Sequence, residues 1–321
     1  MLRAGGTRVN NDRSGAKIIT DGGNEFSDSL PFLLILQAVR AMILRKLKGA
    51  YYMSMKTIGF IGGGNMASAI IGGILSSGLS DSDHVLAADR ADTARAKLEE
   101  TYAIRTFSDN TAVSAAADIL FLSVKPNIFP VMIPEIRDTV RSETVIVSIA
   151  AGQKISAVEA LFGRKIKLVR VMPNNPALVG ASMSALTPNA NVTDAEMSEI
   201  KELFDSFGES EIVAENLMDV VTAVSGSSPA YVYMFIEAMA DAAVADGMPR
   251  AQAYKFAAQS VLGSAKMVLE TGKHPGELKD MVCSPGGTTI EAVAKLEEAG
   301  FRSAVITAQR ACCEKSREMS K

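Results

Sequence analysis

The chain contains no tryptophan and only 6% aromatic residues, which leaves few flat side chains on which single-stranded bases could stack. Its net charge of −3 offers no basic face to a phosphate backbone, so no nucleic-acid partner is expected. The three cysteines, Cys283, Cys312 and Cys313, do not make a disulfide framework. They read as packed or surface thiols in a reducing compartment and point to a cytoplasmic protein. The two histidines, His84 and His274, come with no Cys/His cluster, so no metal is expected. The apolar stretch over residues 30–44 is interrupted by Pro31, Gln37 and Arg40 and is too short to span a membrane. A secretory signal would carry its apolar region nearer the terminus, followed by a small-residue cleavage site.

What is present fits an ordinary globular chain: 321 residues, 48% hydrophobic and 21% charged, enough for two domains. Residues 1–54 hold eight Lys/Arg against four Asp/Glu, leaving 25 and 32 for the remainder. This basic, Gly/Asn/Ser-rich start reads as an extension outside the native fold, even as upstream sequence translated from an early start codon. The folded part then begins near Met53 or Met55. A short amphipathic partner-binding helix over residues 33–47 is the alternative.

From Met55 the chain alternates short apolar runs with helix-like stretches. Lys56–Ile61, Val85–Ala88, Ile119–Ser123, Val145–Ile149 and Ile166–Val171 predict strands, and Asn65–Ser77 a helix. Near-continuous apolar strands separated by helices indicate a parallel sheet covered on both faces. Two further runs, Ser182–Leu186 and Ile212–Val213, flank a helix opened by a Thr193/Glu196 capping box. After about Glu215 strand-like runs disappear and alanine and methionine at helical spacing take over. Ser228-Pro229 predicts a hydroxyl N-cap followed by proline at the first helical position. The helix that follows, to about Asp246, is apolar on most of its circumference through Tyr231, Val232, Met234, Phe235, Ile236, Met239, Ala242 and Val244. Such a helix must be buried. About 100 residues of helix supply too few layers to bury it, so a dimer is expected. The expected fold class is α/β, a Rossmann-type mostly parallel sheet over 55–214 followed by an all-helical dimerisation domain over 215–321.

The first strand runs directly into Gly62-x-Gly64-x-x-Ala67 and a helix. In that order Gly62 permits a tight turn, Gly64 lets backbone approach a pyrophosphate, and Ala67 packs helix on strand. Alone the pattern is weak; between a first strand and first helix it is strong. Asp89 and Arg90 stand where the second strand should meet the adenosine ribose. Aspartate there accepts from ribose hydroxyls, whereas arginine can hold a 2′-phosphate, and the pair leaves the choice open. Lys125, in Val124-Lys125-Pro126, falls at the carboxyl edge of the sheet.

A second signature lies in the helical half. Ser284-Pro285-Gly286-Gly287-Thr288-Thr289 precedes a helix running to about Ala299, with Thr288 and Glu291 spaced as a capping box. A cap does not need two glycines. A side-chain-poor turn at a helix start suits a carboxylate ligand. Ser225-Gly226-Ser227-Ser228 could add hydroxyls. His274, in His-Pro-Gly, reads as a turn between helices.

Together GFIGGGNMASAI, VKPN, VSIAAG, RVMPNNPALV, VSGSSPAYVYMFIEAMADAA, GMPRAQAY and KDMVCSPGGTTIEAV resemble the pyrroline-5-carboxylate reductase family across essentially all of residues 55–321. The resemblance implies reduction of 1-pyrroline-5-carboxylate to L-proline by NADPH, with NADH as an alternative donor. It implies cofactor contacts at Ile61, Gly62, Gly63, Gly64, Asn65, Met66, Asn110, Val124, Lys125, Pro126, Ala150 and Ala151. It also implies substrate contacts at Glu215, Thr288 and Thr289, with Ser284, Gly286 and Gly287 close by. The pocket would form between subunits of a homodimer, the SPGGTT turn coming from the partner, and dimers would assemble into decamers. Asp89 departs from the hydroxyls common in the family at that point, which weakens an NADPH preference. Thr289 is the candidate to hydrogen-bond the imine nitrogen or to relay a proton through water. Two other readings share these motifs. A 3-hydroxyacid dehydrogenase would need a lysine on the long helix, and residues 228–246 contain none. A non-catalytic NAD(P)-binding sensor would not need the carboxylate turn.

Overall fold

A computed structural model describes residues 56–319. The expectations placed on residues 1–54 lie outside the described residues.

The sheet is built as the alternation of apolar runs predicts. β1 (Ile58–Ile61), β2 (Val85–Ala88), β4 (Ile119–Leu122) and β5 (Val145–Ser148) are each buried along their whole length. Such strands need a cover on both faces. Between them lie α1 (Asn65–Ser77), α2 (Asp92–Tyr102), β3 (Arg105–Phe107), α3 (Asn110–Ala116) and α4 (Phe129–Ile136), and α5 (Ile155–Phe162) follows β5. β6 (Lys167–Met172), β7 (Ser182–Pro188), α6 (Asp194–Asp205) and β8 (Gly208–Ile212) complete this half. The order is β3-β2-β1-β4-β5-β6-β7-β8. All neighbours pair in parallel except β6 and β7, which are antiparallel.

Strand alternation divides the core. Ile61, Leu120, Leu122, Ile146 and Leu168 pack with Val113, Phe129, Ile133 and Phe162 from α3, α4 and α5. On the opposite face Phe60 stacks on Phe121 at 4.5 Å, and Phe204 and Phe207 continue the row. Truncating a fully buried ring such as Phe121 to alanine would cost about 3–5 kcal/mol. The Thr193/Glu196 capping box forms as expected at the start of α6.

Two strands depart from the sequence reading. β8 occupies 208–212 rather than the apolar pair 212–213, and β3 has no apolar run. Both are edges of the sheet, where one side of the strand meets solvent and a continuous hydrophobic signal is not required.

The second half is helical: α7 (Met218–Val221), a π-turn over Thr222–Gly226, α8 (Ser228–Ala245), α9 (Arg250–Thr271), α10 (Pro275–Val282), α11 (Thr288–Glu298) and α12 (Phe301–Met319). The expected hydroxyl cap at Ser228 is corrected. The chain already runs helically through the π-turn, Ser227 N–H donates to Thr222 O at 2.8 Å, and Ser228 is the first residue of α8. Within one chain α8 buries only Ala240, while Val232, Tyr233, Met234 and Phe235 stay exposed. That is the uncovered apolar circumference expected of a helix awaiting a second chain. His274 sits between α9 and α10 and caps α10, its Nδ1 accepting from Gly276 N–H at 3.0 Å. No helix among the described residues is long and apolar enough to cross a membrane.

Candidate active site

The predicted turn forms at the carboxyl end of β1. Gly62 has φ +102°, and a Cβ there would stand 2.8 Å from Val124 Cγ1 and 2.9 Å from Ser123 O. Glycine is therefore required by conformation and by space. Gly64 differs: its φ is −72°, and an added Cβ would meet nothing within 4 Å. Neither conformation nor space demands glycine at 64; it serves as the N-cap of α1 and leaves the helix start open to the close approach of a ligand. The first bond of the α1 ladder is Ser68 N–H to Gly64 O at 2.9 Å. The amides of Asn65, Met66 and Ala67 thus precede the ladder, and the first turn holds no acidic residue. A helix start with its amides uncommitted and no carboxylate nearby fits a pyrophosphate, so the residues present suit a dinucleotide.

Ser123, which sequence reasoning did not single out, fixes this turn. Its hydroxyl reaches Ile61 O at 2.9 Å and Gly62 O at 2.8 Å. The contact joins strands β1 and β4, where strand order reverses, the place where open α/β sheets bind ligands. The other sequence-predicted residues reach the same edge of the sheet. Asp89 and Arg90 follow β2, Asn110 opens α3, Val124, Lys125 and Pro126 follow β4, and Ala150 and Ala151 follow β5. Asp89 Oδ2 accepts from Gly63 N–H at 2.8 Å and Oδ1 from Ala91 N–H at 2.9 Å. Its carboxylate is held beside the glycine turn.

A cavity of about 290 Å³ opens beside this edge, lined by Met66, Ser123 to Pro126, Ile149 to Ala151, Met172 to Asn175, and Gly226. Gly226 comes from the helical half, so both halves of the chain meet here. Asn174 is buried and built in: its amide donates to Ser225 O at 3.1 Å, and its Oδ1 accepts from Met183 N–H at 3.0 Å. Asn174 and Asn175 occur in the RVMPNNPALV motif, but nothing in their spacing alone marks them as cavity residues.

Glu215 does not line the cavity. Its Oε1 accepts from Ile155 N–H at 2.7 Å and from Arg170 Nη1 at 3.0 Å. Arg170 is buried on β6, so this carboxylate balances an otherwise solvent-deprived cation.

The 284–289 turn also lies apart from the cavity of its own chain. Gly286 has φ +68°, Gly287 N–H donates to Ser284 O at 3.1 Å, and Gly287 is the N-cap of α11. The expected capping box at Thr288 is corrected: Thr288 is already helical, and no side-chain cap bond forms. The glycine takes the extended cap conformation, which displaces Thr288 one position into the helix. Its hydroxyl, like that of Thr289, is not spent on a cap. Among the described residues no group of three His, Cys, Asp or Glu side chains could hold a metal ion.

The glycine turn at the strand-order reversal, the carboxyl-edge cavity and the helical second half define a nicotinamide-dependent oxidoreductase on a Rossmann-type sheet. Residues 215–319 match the family model described as pyrroline-5-carboxylate reductase dimerisation, and residues 57–152 match that of NADP oxidoreductase, coenzyme F420-dependent. The chain is 53% identical over 266 residues to the pyrroline-5-carboxylate reductase of Escherichia coli (strain K12), spanning 83% of this chain and 99% of the relative. To that of Methanosarcina acetivorans it is 42% identical over 269 residues, 84% of this chain and 100% of the relative. The crystal structure of Plasmodium falciparum pyrroline carboxylate reductase with NADP bound gives a TM-score of 0.77 at 32% identity, covering 84% of this chain and 100% of that one. The chain belongs to the pyrroline-5-carboxylate reductase family.

Proposed function

We propose that this protein reduces the C=N bond of 1-pyrroline-5-carboxylate to give L-proline, the last step of proline synthesis, with NADPH as donor and NADH as an alternative. The observation that carries this reading is the cavity in which Met66 of the glycine turn, the segments after β4 and β5, and Gly226 of the helical half converge. A nicotinamide bound at this edge supplies the hydride that the imine carbon accepts, and the ring nitrogen takes a proton.

The chain's own residues hold and orient. The amides of Gly64 to Ala67 receive the pyrophosphate, Asp89 and Arg90 stand at the ribose, and Asn110, Val124 to Pro126, Ala150 and Ala151 line the path between. Ser284, Gly286, Gly287, Thr288 and Thr289 fix the substrate carboxylate at the start of α11, while Glu215, committed to Arg170 and the Ile155 amide outside the cavity, holds the segment that leads into the helical half. Thr289 hydrogen-bonds the imine nitrogen or relays its proton. No histidine or carboxylate pair in these motifs supplies a strong general acid, so positioning carries most of the rate. Because the 284–289 turn is absent from the cavity lining of its own chain, it serves a partner's cavity in a homodimer. The exposed apolar residues of α8 and α9 support that pairing, and dimers assemble further into decamers. Residues 55–214 then form the cofactor domain and 215–321 the substrate and dimerisation domain. The protein acts in the cytoplasm on a small carboxylated molecule, without nucleic acid or membrane.

The test is loss of reduced-nicotinamide absorbance on addition of pyrroline-5-carboxylate, run in parallel with NADPH and NADH. Oxidation only in the presence of that substrate is expected. A protein that binds cofactor but never oxidises it with this substrate would refute the assignment and favour a non-catalytic sensor.

A further inference from the structure

Glu135 lies in the last turn of α4, across the crevice from the end of β2. Its Oε1 accepts from Arg90 Nη2 at 2.5 Å and its Oε2 from Asn110 Nδ2 at 3.0 Å. Arg90 and Asn110 both carry donors at the carboxyl edge beside the proposed ribose position, and one carboxylate engages both. The second guanidinium at this end, Arg95, donates to Asp89 O at 2.7 Å and pairs with Asp92. Asp89 is itself pinned by the Gly63 and Ala91 amides. Three carboxylates, Asp89, Asp92 and Glu135, therefore stand against two guanidiniums, before any phosphate arrives.

A 2′-phosphate gains most from a guanidinium free to meet it in bidentate fashion. A 2′-hydroxyl needs no cation and can donate to a carboxylate such as Asp89. We infer that Glu135 is a specificity-determining residue: by holding Arg90 and Asn110 it withholds their donors from a 2′-phosphate and brings NADPH affinity down towards that for NADH. The inference rests on the cofactor reading proposed above. Arg90 is 68% exposed and Glu135 34%, so their pair is solvent-screened and can be broken without threatening the fold.

The test measures dissociation constants by nicotinamide fluorescence for NADPH and NADH. Adenosine 2′,5′-bisphosphate and AMP serve as fragments that cannot turn over. In the wild type, the NADPH and NADH constants should lie within about tenfold of each other. Glu135→Gln should tighten NADPH and the bisphosphate by about fivefold while leaving NADH and AMP unmoved. That gain should vanish in the Arg90→Gln/Glu135→Gln double variant and shrink at high salt. The control Asp138→Asn, an exposed carboxylate one helical turn from Asn110's partner, should change neither ratio. An unchanged NADPH to NADH ratio in Glu135→Gln would overturn the inference while leaving the cofactor reading intact. So would a large loss of NADPH affinity in Arg90→Gln alone, since Arg90 would then already be serving the phosphate. A wild type that binds neither dinucleotide would overturn both.

Discussion

The two outer glycines of the β1–α1 turn should respond oppositely to the same substitution. At Gly64, alanine adds a Cβ that meets nothing within 4 Å, on a backbone at φ −72° that any residue adopts. Alanine is a poorer N-cap than glycine by about 0.5–1 kcal/mol, and it recovers about 0.4–1 kcal/mol by restricting the unfolded chain. The stability of Gly64→Ala should therefore stay within about 0.5 kcal/mol of the wild type. The new methyl occupies the surface from which the Asn65, Met66 and Ala67 amides face a pyrophosphate. Losing one or two charge-assisted bonds there costs about 1.5–3 kcal/mol, roughly ten- to a hundredfold in Kd. At Gly62 the φ of +102° and the 2.8 and 2.9 Å approaches of Val124 Cγ1 and Ser123 O put the damage in the fold instead, about 2–4 kcal/mol. Urea denaturation monitored by circular dichroism, with cofactor titration by nicotinamide fluorescence, separates the two effects. If Gly64→Ala bound NADPH and NADH as the wild type does, the pyrophosphate would not lie on this helix start. The reasoning from open space at Gly64 would then fail.

Thr289→Val keeps shape and removes the hydroxyl, so steady-state turnover should fall at least tenfold with cofactor affinity unchanged by fluorescence titration; unchanged turnover would remove Thr289 from the reaction. Removing Glu215 strips the counter-charge from buried Arg170. Glu215→Ala should cost about 2–3 kcal/mol in urea denaturation, the half-exposed carboxylate moderating the full buried-pair penalty, whereas Arg170→Met should cost less. Burial pushes the Glu196 carboxyl up, but hydrogen bonds from Lys167 and from the amide and hydroxyl of Thr193 outweigh it and leave the pKa lowered. A lowered carboxyl contributes stability above its unfolded value and loses it as pH falls through the folded one. Glu196→Gln should therefore cost about 1 kcal/mol at neutral pH, and melts in acid should show the gap closing below about pH 4.

What the sequence made legible follows the physics of burial. β1, β2, β4 and β5 were readable because each is buried on both faces and so must be apolar throughout. β3 and β8 were not, because as edge strands they carry Arg105 and Glu209 towards solvent. The glycine turn was legible because its chemistry is local: three positions in one stretch dictate it. Ser123, Asn174 and Glu135 were not. Each acts on a backbone or side chain more than twenty residues away, Ser123 on Gly62, Asn174 on Ser225 and Glu135 on Arg90. No spacing rule reports a partner supplied by the tertiary fold.

The misread helix start at Ser228-Pro229 joins these threads. Proline has no N–H, so in a continuous helix Pro229 cannot donate to the carbonyl four residues before it, that of Ser225. Read locally, a serine followed by proline has the form of an N-cap and first helical position, which is why the pair looked like a helix start. In the folded protein the chain instead passes through a π-turn over Thr222–Gly226, and the orphaned Ser225 carbonyl accepts the amide of buried Asn174 at 3.1 Å. The missing helical donor is thus replaced by a side chain from the sheet half. That replacement holds Gly226 at the cavity wall, where an added Cβ would stand 2.5 Å from the movable tip of Met172. π-turns within α-helices concentrate at functional sites because they expose backbone groups that a regular ladder would consume. Here the exposed group ties the helical half to the cavity edge at the point where hydride transfer is proposed. The local rule failed at a helix start whose irregularity shapes the cavity wall.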